Sequence, residues 1–253
     1  MKLHYRTIGT GKPLFILHGL FGSSDNWQTL GKRFAENYKV YFVDQRNHGH
    51  SLHTNDFSYD LMVQDFHELV LDLEEKNVNI IGHSMGGKTA IAFAAKYPQL
   101  VDKMIVGDIS HKAYPMHHDT ILEGLNALDL KKIKSRSEAD SLLSEYIPQA
   151  GVRQFLLKNL YWIEPGVSLG WRINLPVLTR EIPKILIEIP FDEIEIPTLF
   201  IRGELSNYIT EDDFEEIHSK FPTSYIHTIP NSGHWIHAEA PEEFYRLVRN
   251  FIS

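Results

Sequence analysis

With 253 residues, 43% hydrophobic and 23% charged, the chain has the composition of an ordinary globular protein, long enough for one large core carrying an insertion. Its 33 acidic against 25 basic side chains give a formal charge of -8, and no basic patch interrupts the excess, which argues against a nucleic-acid partner. Cysteine is absent, so disulfides and thiolate metal sites are excluded, and with no signal-like start or bilayer-length apolar run the expectation is a cytoplasmic protein without membrane insertion.

Short apolar runs alternate with longer amphipathic stretches, which predicts an α/β fold, a mostly parallel sheet with helices on both faces. Strands are expected at Leu3 to Ile8, Leu14 to Leu17, Val40 to Val43, Val78 to Ile81, Lys103 to Val106, Thr198 to Arg202 and Ser224 to Ile229. Helices are expected at Asn26 to Glu36, Tyr59 to Glu75, Met85 to Lys96, Glu211 to Lys220 and Pro241 to Phe251. The last opens on Pro241-Glu242-Glu243, a proline at the first helical position followed by acids that suit the helix dipole. Between Asp108 and Thr198 the alternation fails. Three helical patterns follow one another there with no convincing strand between them, around Ile121 to Leu128, Leu142 to Tyr146 and Val152 to Leu160. This predicts a helical cap over residues 111–195, inserted into a core made of residues 1–110 and 196–253. The return to the core carries Glu-Ile-Pro at Glu181 to Pro183, Glu188 to Pro190 and Glu195 to Pro197. Proline inside each repeat rules out a coiled coil and reads as a turn-rich linker.

The segment Gly82-His83-Ser84-Met85-Gly86-Gly87-Lys88-Thr89 satisfies two unrelated motifs. As G-x-S-x-G it is a nucleophile elbow exposing Ser84; as G-x-x-x-x-G-K-T it is a phosphate-binding P-loop. Both need a strand before and a helix after, so partners elsewhere in the chain must decide. A serine hydroxyl needs a base, an acid to orient that base and donors for the oxyanion. His234, one of 14 histidines, follows the last predicted strand in Gly233-His234-Trp235 and is the expected general base. Near the start, Leu14 to Leu17 runs into His18-Gly19-Leu20-Phe21-Gly22, a turn that can aim the Leu20 amide at an oxyanion, with the Met85 amide as second donor.

The acid is less direct. Its common place, three residues after Gly203, is held by Ser206, which cannot be an anion. Asp108, ending the strand after the elbow helix, is the choice, with Glu204 or a water-bridged arrangement as alternatives and Ser206 as a supporting hydrogen-bond donor. Asp44-Gln45-Arg46-Asn47-His48-Gly49-His50-Ser51 reads as a structural loop pinned by charge pairs and histidine hydrogen bonds, and His18 as a residue that holds its loop. Neither His48, His50 and His53 nor His111, His117 and His118 has a ligand framework, so no metal is expected. Phe21, Met85, Trp235 and the cap residues Leu156 and Trp162 point to an apolar substrate pocket.

Four segments in order, His18 to Ser23, Asp44 to Ser51, Gly82 to Lys88 and Gly233 to Glu239, resemble the α/β-hydrolase superfamily, and within it the small bacterial YbfF-type esterases. The likeness extends through Gly107-Asp108-Ile109, Gln154 to Lys158 and Trp171 to Leu178, so it covers the cap as well. It implies a hydrolase of small acyl esters or thioesters, without cofactor, working through Ser84, His234 and Asp108, and it favours Asp108 over Glu204. Two departures from the wider superfamily are Asn47 where glycine is usual, which asparagine's tolerance of positive φ permits, and Ser206 where the acid is usual. A related scaffold can also run C–C cleavage or elimination on the same residues, and a fold of this kind can bind a ligand without catalysis. The P-loop reading leaves Leu20, Asp108 and His234 without a shared purpose. In the elbow reading Lys88 owes nothing to phosphate, and its ammonium is expected to be free for solvent or an acidic neighbour.

Overall fold

A computed structural model of the chain describes residues 1–116 and 118–253. In chain order the first part of the core is β1 (His4–Ile8), β2 (Lys12–Leu17), α1 (Gln28–Phe34), β3 (Tyr38–Asp44), α2 (Tyr59–Asp72), β4 (Val78–His83), α3 (Met85–Lys96) and β5 (Val101–Gly107). The inserted segment holds α4 (Asp119–Ala127), α5 (Arg136–Leu143), α6 (Ala150–Leu157), β6 (Leu160–Glu164), β7 (Ser168–Trp171) and α7 (Leu175–Glu181). The core resumes with β8 (Thr198–Gly203), α8 (Phe214–Lys220), β9 (Ser224–Ile229), α9 (Ile236–Glu239) and α10 (Pro241–Ile252).

The large sheet has the order β1-β3-β2-β4-β5-β8-β9, with β1 antiparallel to β3 and the remaining pairs parallel. Successive residues of a strand point to opposite faces, and the two cores divide on that alternation. Phe15 and Leu17 of β2 join Tyr41, Val43, Ile80 and Val106 on the face covered by α2 and α3. Leu14 and Ile16 join Val40, Phe42, Ile81 and Ile201 on the other face, with Phe244, Val248 and Ile252 of α10. Those three recur every four residues, one stripe of a helix whose other side carries Glu242, Glu243 and Arg249.

The inserted segment departs from expectation in three places. Leu160–Glu164 and Ser168–Trp171 form an antiparallel hairpin where helix alone was expected. Pro165-Gly166 supplies its turn, Gly166 taking the left-handed φ of 73°. Helix α7 is additional, and the first Glu-Ile-Pro repeat closes it and enters a short 3-10 turn, Ile182–Ile185, so only the later two repeats are linker. Among the described residues no helix is long and apolar enough to cross a membrane.

Candidate active site

Strand register brings the candidate residues to one edge. Leu17 of β2 pairs with Gly82 of β4, His83 with Gly107 of β5, and Gly107 with Ile201 of β8, so their carboxyl ends lie level. Ser84, Asp108, Ser206 and His234 follow the ends of β4, β5, β8 and β9, the edge at which open parallel sheets bind ligands.

Ser84 occupies the turn between β4 and α3 with φ 51° and ψ -121°, a conformation unfavourable for a residue with a Cβ. Its amide donates to the Gly107 carbonyl at 2.9 Å and its carbonyl accepts from Gly87 N at 2.8 Å, which fixes the elbow. The glycines allow it. A Cβ on Gly82 would lie 2.3 Å from the Gly86 carbonyl oxygen, and one on Gly86 would lie 2.2 Å from that of Leu17. Met85 opens α3, where first-turn N–H groups lack intrahelical acceptors.

Asp108 is fully buried and takes a left-handed φ of 47°. One carboxylate oxygen accepts from Gly203 N at 3.0 Å; the other accepts from the Ser206 hydroxyl and from His234 Nδ1, the latter at 2.7 Å. Because the carboxylate accepts, Nδ1 carries the proton and the His234 Nε2 lone pair is left for another partner. Glu204 stands apart from the imidazole, accepting from Asn231 N at 2.8 Å. The His234 loop is held by Glu239, whose carboxylate accepts from Gly233 N at 2.6 Å and Trp235 N at 3.1 Å. His83 Nε2 donates to the His234 carbonyl at 2.8 Å.

Three imidazoles crowd here, the His83 ring centroid 4.8 Å from that of His234 and 4.6 Å from that of His237. Burial pushes His83 well below its ordinary value, and burial with the neighbouring His234 pulls His237 down to about 3. Both stay neutral near pH 7, so neither adds a positive charge beside His234. His237 also stacks on Trp27 at 4.2 Å.

The turn before α1 is pinned from below. His18 Nδ1 donates to Gly19 O at 2.8 Å and its Nε2 accepts from Gln45 N at 3.0 Å. His48 Nδ1 donates to Arg46 O at 2.9 Å and its Nε2 accepts from Phe21 N at 3.2 Å, with Phe21 itself at φ 58°. Leu20, between these anchored residues, lines the same cavities as Ser84. The Asp44 loop is structural: Asp44 accepts from Ser24 N at 2.7 Å and His50 N at 2.9 Å, Arg46 makes a buried two-pronged pair with Asp65, and Asn47 takes φ 63°. Among the described residues no group of three His, Asp or Glu could hold a metal ion. His117 lies outside the described residues.

Above Ser84 is a cavity of about 230 Å³. Phe21, Leu156 and Trp235 line it, together with Trp27, Phe155 and Tyr208, which the sequence reading did not single out. Trp162 does not: it stands on the hairpin of the inserted segment, 38% exposed. A second space of about 30 Å³, bounded by Leu20, Met85, Tyr59 and Tyr114, touches Ser84 from the other side. Lys88 also departs from expectation. It is 1% exposed and forms no ion pair at contact distance, although the charge of Glu188 favours its ammonium, and it donates to the carbonyls of Lys112 and Ile187.

Comparison with known proteins agrees with this architecture. Residues 12–131 match the model of a family described as the alpha/beta hydrolase fold. The chain is 37% identical to the mouse (Mus musculus) sn-1-specific diacylglycerol lipase ABHD11 over 249 residues, covering 95% of this chain and 80% of the relative. It is 33% identical to esterase YbfF of Escherichia coli over 242 residues, 95% of this chain and 93% of the relative. Among solved structures, one titled marine microorganism esterase superposes with a TM-score of 0.96 at 41% identity, covering 99% of both chains. With full-length relatives above 30% identity and the elbow, buried acid and histidine loop at one sheet edge, the chain belongs to the α/β-hydrolase family.

Proposed function

We propose that the chain is a carboxylic ester hydrolase in which Ser84 is the nucleophile, His234 its general base and Asp108 the acid that orients the base. The relatives named esterase and diacylglycerol lipase support the bond class. The observation that carries the residue assignment is the 2.7 Å bond from His234 Nδ1 to Asp108, beside a serine held at φ 51° on the elbow.

In this reading His234 Nε2 takes the Ser84 hydroxyl proton as Oγ attacks the acyl carbonyl, and the amides of Leu20 and Met85 receive the oxyanion, each worth about 3 to 4 kcal/mol in the transition state. The imidazolium, stabilised by Asp108, returns the proton to the leaving alcohol or thiol. Water then attacks the acyl-enzyme with His234 again as base. The apolar cavity lined by Phe21, Phe155, Leu156 and Trp235 takes the hydrocarbon part of a small ester or thioester.

The test is labelling with a fluorophosphonate, located by peptide mass, together with a panel of acyl esters and thioesters. The expected adduct is on Ser84, and Ser84→Ala abolishes both labelling and turnover. Ester hydrolysis that survives Ser84→Ala at the wild-type rate would sink the reading.

A further inference from the structure

Lys88 lies one turn beyond Ser84 on α3, its amide bonded to the Ser84 carbonyl at 3.1 Å. A buried lysine normally needs a carboxylate. Among the described residues no carboxylate makes a contact ion pair with it, and only the charge of Glu188, on the segment returning from the cap, favours the ammonium from a distance; Nζ donates to Lys112 O at 2.6 Å and Ile187 O at 2.5 Å. Those two carbonyls belong to different segments. Residues 108–116 lead out of β5 towards the cap, and residues 185–197 lead back to β8.

The two segments form a neck joined by Tyr114 N to Leu186 O at 2.7 Å and by Ile189 N to His111 O at 2.8 Å. Lys88 enters between these rungs, at a place where two acceptors converge on its Nζ. An ammonium, with three protons and no acceptor, can close such a gap. Its charge is further met by the faces of Tyr114, 4.8 Å away, and Tyr59, 6.0 Å away. Tyr59 adds a bond of its own to the returning segment, its hydroxyl donating to Ile185 O at 3.0 Å. The lysine that completed a phosphate motif in the sequence therefore has a place that phosphate does not explain.

We propose that Lys88 is a positioning residue that fastens both segments of the cap neck to the first turns of the nucleophile helix, and so sets the seat of the cap over Ser84. Ile121, Val152, Phe155 and Leu156 of the cap line the cavity above that serine, so a loosened neck moves the part of the pocket that a long acyl or alcohol chain would reach. The kinetic half of this proposal rests on the esterase reading; the structural half does not.

The experiment compares the wild type with Lys88→Met, which keeps the apolar stem and removes the donors, and Lys88→Gln, which returns two amide protons. Hydrogen exchange of the Tyr114 and Ile189 amides is expected to quicken at least tenfold in Lys88→Met, with amides of β4 and β5 unmoved, and to recover in part in Lys88→Gln. KM for a long-chain ester is expected to rise at least fivefold, with kcat falling no more than threefold and KM for an acetate ester changing less than that for the long chain. Unchanged exchange at Tyr114 and Ile189 would overturn the proposal, as would equal losses on long and short esters. Failure of both variants to fold would also overturn it, assigning Lys88 to the fold as a whole. If the wild type does not label at Ser84 the esterase reading falls, while the exchange comparison still decides whether Lys88 clamps the neck.

Discussion

Tyr208 lies flat against the His234 imidazole, ring centroids 3.9 Å apart and planes 18° from parallel. The bond to Asp108 fixes one edge of the imidazole, and the tyrosine ring fixes its plane. Stacking of this kind is worth about 0.5 to 1.5 kcal/mol beyond burial, about two- to tenfold in rate if it is lost in the transition state. Tyr208→Leu is expected to lower kcat by about two- to tenfold, with KM little changed, while Tyr208→Phe, which keeps the ring, retains more than half of the activity. A Tyr208→Phe loss equal to that of Tyr208→Leu would move the role from the ring to the hydroxyl.

Asp108 and Glu204 separate cleanly in a pair of substitutions. Asp108→Asn keeps the shape of the buried site but presents an amide to His234 Nδ1, disfavouring the tautomer that leaves Nε2 open. The expected fall in kcat is on the order of a thousandfold to ten-thousandfold. Glu204→Gln is expected to change kcat less than twofold, since its carboxylate serves Asn231 N at the surface. Steady-state rates on one activated ester suffice, and an undiminished kcat in Asp108→Asn would remove Asp108 from the mechanism.

The seven core strands and the elbow were legible because each is a local signal: a buried strand is a short apolar run, and the elbow glycines are demanded by contacts as close as 2.2 Å. The hairpin at Leu160–Glu164 and Ser168–Trp171 was carried by Pro165-Gly166 between aromatic and β-branched residues, a turn signal that helical spacing around Phe155 to Leu160 obscured. Lys88 was not legible, because its partners are backbone carbonyls 24 and 99 residues away and carbonyls have no sequence identity. Tyr208 was hidden in the same manner. Nothing in Ser206-Asn207-Tyr208 marks a ring that stacks on a histidine from another loop.

The corrected pocket makes a prediction about the cap. Phe155 lines the cavity and packs near Trp235 at 5.8 Å, whereas Trp162 stands exposed on the hairpin. Phe155→Ala is expected to raise KM for long-chain esters about tenfold, from roughly 1 to 2 kcal/mol of lost apolar contact, and to spare acetate esters. Trp162→Ala is expected to leave both unchanged. A large KM effect at Trp162 would mean that the hairpin folds over the cavity in the working enzyme.

Acid stability follows from the neutral histidines. Burial holds His48 and His237 down to about 3, against an ordinary value of 6.5 that each regains on unfolding. Between those limits the unfolded chain binds protons that the native chain refuses, so native stability falls as pH falls, by about 1.4 kcal/mol per pH unit for each such group. Above 6.5 neither group contributes a slope. Urea unfolding of the wild type is therefore expected to weaken steadily below pH 6.5. His237→Gln is expected to be less stable than wild type at pH 7, through lost stacking on Trp27, yet to lose about 1.4 kcal/mol less per pH unit near pH 5. Parallel stability curves for wild type and His237→Gln across pH 4 to 7 would show that the buried imidazole takes up its proton in the native state as readily as in the unfolded chain.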